Sequence, residues 1–309
     1  MIIKYIIIKI NKYFLKKRLD IILSSFLTQY SRSYIKKLII NNRVKSNSKL
    51  LNKPNKKIFN KILIKIKFIK KKKKIKSQKI KINILYEDKY LIIINKPNNF
   101  IIHPGYKNFK NTLINALLYY NNLLILIKRL GIVHRLDKDT SGLIIITKTL
   151  LTRKLIINAF KYHKIKKEYD GIVIGNIINN GYIKAKISRN IKNRIKMNIN
   201  INGKNAITYY KIIKNFKEYT RVKFFLKSGR THQIRIHMLY INYPIIGDKK
   251  YNKIKKKNII FKKNIFLYKF NRQALHSCFL NFYHPIYGFN INCYSKIPLD
   301  ILNLINKLK

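Results

Sequence analysis

Acidic residues are what this chain has least of: ten in 309, against 69 Lys plus Arg, for a formal net charge of +59. The deficit excludes a self-neutralised surface. It points to a polyanionic partner, since dense lysine attracts phosphate through release of counterions without reading sequence. Cysteine is nearly as scarce. Cys278 and Cys293 are too few and too far apart for a zinc knuckle or a disulfide framework, so two core thiols in a reducing compartment are expected. Tryptophan is absent, and Gly and Pro number only 10 and 6 while Lys, Ile, Asn and Tyr abound, the pattern of a genome poor in G and C. About half of the basic excess is ascribed to that drift. A membrane-length apolar run is missing too. The apolar start MIIKYIIIKINKYF is broken by Lys4, Lys9 and Lys12 and shows no small-residue cleavage site, so a soluble cytoplasmic protein with no membrane partner is expected.

Scarcity makes the exceptions informative. Where drift turns Arg into Lys, each of the 12 arginines that remain is the better candidate for a role needing a planar five-donor fork. Two of the ten acids, Asp137 and Asp139, fall in GIVHRLDKDTSGLIIITKT, after His134 and Arg135 and before Thr140, Ser141 and Gly142. Leu143 to Ile146 reads as a buried strand. An Asp in a polar loop at the mouth of such a strand is rigidly aimed. Neighbouring cations favour its ionisation and burial opposes it.

The coarse pattern predicts an α+β protein in two parts. From Arg18 a helix turns Leu19, Ile22, Leu23 and Phe26 inward, and a second, with Ser31 as N-cap, turns Ile35, Leu38 and Ile39 inward. RVKSNSKLLNKP reads as strand, Asn-Ser turn, strand. A lysine run, Lys70 to Lys74, reads as an extended tether. Beyond it come a strand at Leu91–Ile94 stopped by Lys96-Pro97, a helix capped by Thr112 with Leu113, Ala116, Leu117 and Tyr120 on one face, and a helix over Thr149–His163. In KKEYDGIVIG, alternation sets Tyr169, Gly171 and Val173 opposite Glu168 and Asp170. Tyr182–Lys227 reads as an antiparallel meander. Thr231 is expected to cap a helix facing Ile234, Met238 and Ile241 inward, and a last helix to pack Leu299, Leu302 and Ile305. His103 and PIIGDKKY read as structural turns.

HRLDKDTSGL closely resembles the signature of the RluA/RluD family of pseudouridine synthases. NKP and HPG near residue 100, the KEY of Lys167–Tyr169, SGRTHQIRIHM and RQALHSCFLNFYHPIYG extend the likeness in the same order, nearest the RluD branch. The two N-terminal helices, opened by RLD and YSRS, resemble the S-four RNA-binding module. The resemblance implies a small αα-β RNA-binding module and a catalytic domain with a mixed, largely antiparallel sheet flanked by helices. Expected boundaries are an extension at 1–17, the module at 18–66, a basic linker at 67–82 and the catalytic domain at 83–309.

The implied activity is isomerisation of uridine to pseudouridine in RNA, with large-subunit ribosomal RNA as the expected partner. That reaction needs no oxidant, metal or cofactor, and a monomer is expected. Asp137 is the implied catalytic carboxylate, attacking sugar or base or removing a proton. Tyr169 lies against the target base, Gly171 leaves room for it, and Arg230 pairs with Asp137. Arg135 fills the space that the uridine vacates, with His134 and Arg235 also assigned to RNA. Arg18, Ser31, Arg32 and Lys36 are the candidate backbone contacts of the module, because helix N-termini and cations suit phosphate. A non-catalytic RNA-binding assembly factor, or a synthase acting on another ribosomal or transfer RNA site, are the competing readings.

Overall fold

A computed structural model describes residues 2–28, 30–47, 49–70, 75–105, 109–191, 193–251 and 270–309. The chain divides into Met1–Lys74 and Ile75–Lys309. The first unit runs β1 (Ile2–Lys9), α1 (Leu19–Phe26), α2 (Arg32–Ile40), β2 (Val44–Ser46), β3 (Lys49–Leu50) and β4 (Leu63–Lys70), with sheet order β1-β4-β2-β3. The expected extension at 1–17 is therefore part of this unit's sheet, paired antiparallel to β4 from Ile2↔Lys70 to Lys9↔Leu63. Isoleucine and lysine alternate in β4, and its pairing with the isoleucine-rich β1 buries Ile8, Ile64 and Ile66 on one face while Lys65 and Lys67 of β4 take the other. β4 likewise claims residues 67–70 from the expected linker. Lysines 71–74 and Ser48 of the expected turn lie outside the described residues.

Leu19, Ile22 and Leu23 pack with Ile35, Leu38 and Ile39 as periodicity predicts, whereas Phe26 lies half out beside Phe14. Ser31 accepts from Tyr34 N at 3.3 Å, so its oxygen is engaged as a helix cap. Asp20 is fully buried and gathers three of the module's candidate cations. Arg18 Nε donates to Oδ1 at 3.1 Å, Arg32 Nε donates to Oδ2 at 3.0 Å, and Lys36 Nζ lies 3.7 Å from Oδ2. All three keep over two-fifths of their side chains in solvent, at 42%, 48% and 44%.

The second unit holds β5 (Ile84–Glu87), β6 (Leu91–Lys96), α3 (Leu113–Tyr120), β7 (Ser141–Thr147), α4 (Leu150–Lys161), β8 (Lys166–Ile174), β9 (Gly181–Lys184), β10 (Ile187–Arg189), β11 (Met197–Ile199), β12 (Ile207–Asn215), β13 (Tyr219–Leu226), α5 (Gln233–Tyr240), β14 (Leu275–Tyr283), β15 (Asn290–Tyr294) and α6 (Leu299–Leu308). Its sheet runs β5-β6-β7-β14-β8-β13-β12-β9, with β15 on β14. Most pairs are antiparallel, but β7 and β14 run parallel. The expected meander is present as β9, β12 and β13, with β10 and β11 forming a separate pair.

β6 and β7 are buried on both faces, which is why they read as unbroken apolar runs. Ile92, Ile94, Ile144 and Ile146 join the larger core with α3, α5 and α6, while Leu91, Ile93, Leu143 and Ile145 join Ile156 of α4. Gly142, at φ +110°, permits the parallel contact, because a Cβ there would stand 2.2 Å from Ser277 O. Gly171 is packed by β14 and Phe224 and does not make room for a base: a Cβ would meet Ala274 O at 2.9 Å.

Three helix expectations change. α6 buries Ile301, Leu304 and Ile305, leaving Leu299 74% and Leu302 40% exposed, because Arg272 grips Asp300 through Nε at 2.6 Å and Nη2 at 2.8 Å and so fixes the helix's rotation. α5 begins at Gln233 with left-handed His232 at its N-cap. There the Gln233 side chain accepts from Arg230 N at 2.9 Å, taking the place expected of Thr231. Tyr120 ends α3 turned outward, where its hydroxyl donates to Glu87. The cysteines are free, and burial pushes the Cys293 thiol up to about 11.

Candidate active site

The loop carrying Asp137 enters β7 and is pinned from behind. His134 Nε2 accepts from Ile145 N at 2.8 Å. Lys96 Nζ, fully buried, donates to Pro97 O, Phe100 O and Lys138 O at 2.7, 3.1 and 3.0 Å. Those carbonyls satisfy the three donors of its ammonium. Burial nevertheless pushes Lys96 down to about 7, opposed by Asp139 and Asp137. Arg272 Nη1 donates to Asp139 O at 3.1 Å, and Gln273 Nε2 donates to Thr140 Oγ1 at 3.1 Å.

Asp137 is held from the front by Arg235. Nη1 of that buried guanidinium donates to Asp137 Oδ2 at 2.7 Å, while Nε and Nη2 fork onto Asp248 at 2.6 and 2.7 Å. Burial opposes its charge, but Asp248 and Asp137 outweigh burial and hold it more firmly protonated than usual. Tyr251 lies under the guanidinium, with CZ 5.0 Å from the ring centroid, and Asp248 also accepts from the amides of Lys250 and Tyr251. The other Asp137 oxygen, Oδ1, lies 3.8 Å from Nε2 of His232, whose Nδ1 is 2.7 Å from the Tyr251 hydroxyl. Burial drives His232 down to about 4, with Asp137 opposing, so the ring is neutral at pH 7.

This corrects two assignments. Arg230 is exposed and its Nε donates to Asn205 O at 3.1 Å, so it does not pair with Asp137. Arg235, assigned to RNA, is the partner instead, buried and committed to two carboxylates. The reason is the start of α5: Gln233 draws the preceding loop back, and every residue from Gln233 to Met238 is buried, which turns Arg235 toward the Asp137 loop. Asp248, read as part of a structural turn, anchors the pair. Its rarity among ten acids was the available signal.

In front of Asp137 opens a cleft of about 700 Å³. Asp137 is the only carboxylate lining it among the described residues, amid Arg129, Arg135, Lys161, Lys167, Lys227 and Arg230. Tyr169 lines it from β8, 7% exposed, its hydroxyl held protonated by burial. Arg135 is exposed and borders both this cleft and a smaller hollow of about 300 Å³ on the Asp139 side. His103 lines the cleft as well, and burial, then Arg129 and Arg135, lower its pKa. His134 borders the cleft but serves the loop, its ring 5.0 Å from that of Phe160.

His134 gives a pH prediction. Burial, then Lys167, pushes it down to about 3, in keeping with a ring nitrogen that accepts an amide. Between pH 6.5 and that value the unfolded chain binds a proton that the folded chain does not, so stability falls on acidification. The His134→Gln variant should unfold with a slope against pH shallower by up to about 1.4 kcal/mol per unit, over roughly pH 4 to 6. Urea unfolding across that range measures it, and an unchanged slope refutes a neutral His134.

A family model described as RNA pseudouridylate synthase matches residues 90–240. Relatives named ribosomal large subunit pseudouridine synthase D align along nearly the whole chain. That of Blochmanniella floridana is 44% identical over 303 residues, covering 94% of this chain and 94% of its own. That of Yersinia pestis is 39% identical over 298 residues, covering 96% and 92%. Among solved structures, human RNA pseudouridylate synthase domain containing 4 superposes with TM-score 0.58 at 21% identity over 73% of this chain and 92% of that one. Human RNA pseudouridylate synthase domain containing 1 gives 0.56 at 19%, over 74% and 94%. These two structures speak to the fold. Among the described residues no helix is long and apolar enough to cross a membrane.

Proposed function

The chain belongs to the ribosomal large subunit pseudouridine synthase D family of RNA pseudouridylate synthases, and on that premise we propose that it isomerises uridines in large-subunit ribosomal RNA with Asp137 as the catalytic carboxylate. The observation that carries this reading is the Asp137–Arg235 ion pair at the head of a cationic cleft.

Converting uridine to pseudouridine breaks the C1′–N1 bond and forms C1′–C5. C5 loses a hydrogen and N1 gains one, so nothing is oxidised or reduced. The protein must hold the detached base and sugar together and supply one well-placed carboxylate. Arg235 anchors Oδ2, and Asp248 holds Arg235. Oδ1 is left to act on the sugar or base or to take a proton. Tyr169 offers the flat wall against which a base can lie. A stacked or paired uridine has to be extruded first, and Arg135 on the exposed rim carries the planar cation suited to the gap. Arg18, Arg32 and Lys36, arrayed on buried Asp20, supply a cationic patch for the RNA backbone on an S-four-like module. Action as a monomer, in the cytoplasm where such RNA is assembled, is part of this proposal.

Pseudouridine mapping of ribosomal and transfer RNA, with and without the protein, tests this. Pseudouridines that disappear from large-subunit RNA and return on adding the purified protein are the expected result. Loss confined to transfer RNA would move the substrate, and no loss anywhere would leave a non-catalytic RNA-binding factor.

A further inference from the structure

Of the cleft cations that the chemistry above leaves unused, Arg129, Lys161, Lys167, Lys227 and Arg230, only Lys167 is not exposed among the described residues. Lys167 precedes Tyr169 by two residues on β8, so both face the cleft. Its ammonium lies 5.4 Å from the Phe160 ring centroid, and a Cβ built on Gly229 would stand 3.4 Å from Nζ. Nζ is thus enclosed between α4 and the Ser228–Arg230 loop. The charged and titratable groups around it are Lys161 on α4, Lys227 and Arg230 on that loop, neutral His134 and Arg135 on the Asp137 loop, and protonated Tyr169 on its own strand. Glu168 lies on the opposite face of β8 and pairs with Lys223 at 3.3 Å. Among the described residues no carboxylate pairs with Lys167, and Asp137, the acid of the cleft, is held by Arg235.

A cation withdrawn from water among other cations is costly unless an anion joins it. Arg230 is exposed beside it, and its Nε bond to Asn205 O leaves both terminal nitrogens without a protein partner among the described residues, open to a ligand. We propose that Lys167, flanked by Arg230 and Lys227, forms a phosphate subsite that grips the RNA backbone beside the extruded nucleotide and sets the uridine against Tyr169. This deepens the reading of the cleft as an RNA synthase site and rests on it. Burial, reinforced by Arg230, lowers Lys167 to about 8, so the empty subsite loses its charge just above neutral pH and a bound phosphate would restore it.

The test compares wild type with Lys167→Met and Lys167→Arg. Binding of a short fluorescein-labelled uridine-rich RNA is measured against salt concentration, and turnover on a large-subunit RNA transcript against pH. In Lys167→Met, affinity should fall about tenfold and the slope of log K against log salt should become shallower by about 0.7. KM should rise about tenfold with kcat within about threefold. In wild type kcat/KM should decline above about pH 8, whereas Lys167→Arg should keep the affinity and lose that decline. An unchanged salt slope and KM in Lys167→Met, or a decline that persists in Lys167→Arg, overturns the subsite. Should wild type bind RNA yet make no pseudouridine, the synthase reading would fall while the salt slope still decided whether Lys167 holds phosphate.

Discussion

Asp137→Asn folds, binds RNA as wild type does, and loses roughly 10⁴-fold or more in turnover. The fold survives because the amide oxygen can still accept from Arg235, and Asp248 continues to neutralise that buried guanidinium. No charge is stranded, so the large penalty of breaking a buried pair is avoided. What disappears is a negative oxygen able to attack or to take a proton, and nothing else in the cleft replaces it, since Asp137 is its only carboxylate among the described residues. Release of tritium from C5-labelled uridine in the RNA transcript measures the loss. Turnover within about tenfold of wild type would remove Asp137 from the chemistry.

Arg235 should be far less replaceable than Arg230. A lysine at 235 carries the charge but cannot fork onto Asp248 while reaching Asp137. Arg235→Lys should lower kcat about a hundredfold, because the catalytic carboxylate is no longer aimed. Arg235→Met strands Asp137 and the buried Asp248 together and should cost about 3–5 kcal/mol of stability. Arg230→Lys keeps a cation at an exposed position whose bond is to a carbonyl, and should leave kcat within about threefold. Single-turnover rates and urea unfolding of the three variants make the comparison. If Arg230→Lys were the slow enzyme and Arg235→Lys the normal one, the pairing seen here would be wrong.

The two arginines also mark the border of what could be read before folding. Both lie in SGRTHQIRIHM, and the family resemblance implied that the first of them, Arg230, pairs with Asp137, whereas Arg235 does. Which one depended on where α5 begins, and that is decided by Gln233 reaching back to Arg230 N and by Asp248 waiting across the unit. The β1 strand was missed for a similar reason. Its apolar run broken by Lys4 and Lys9 was visible, but its partner lies more than fifty residues away at Leu63–Lys70. Lys96 was read only as the end of a strand, yet it is buried and ties the Asp137 loop by Lys138 O. One lysine among so many gave no sign of that.

Local pattern thus determined most of the segments that become strands and helices, though not β1, and the rarity of acids within so basic a chain singled out Asp137. Short-range sterics, capping and period settle such features within a few residues of one another. Tertiary packing alone decided which guanidinium meets the carboxylate and which side of α6 turns inward. Those outcomes depend on groups far apart in sequence competing for one buried partner, and burial makes the unpaired alternatives too costly to persist.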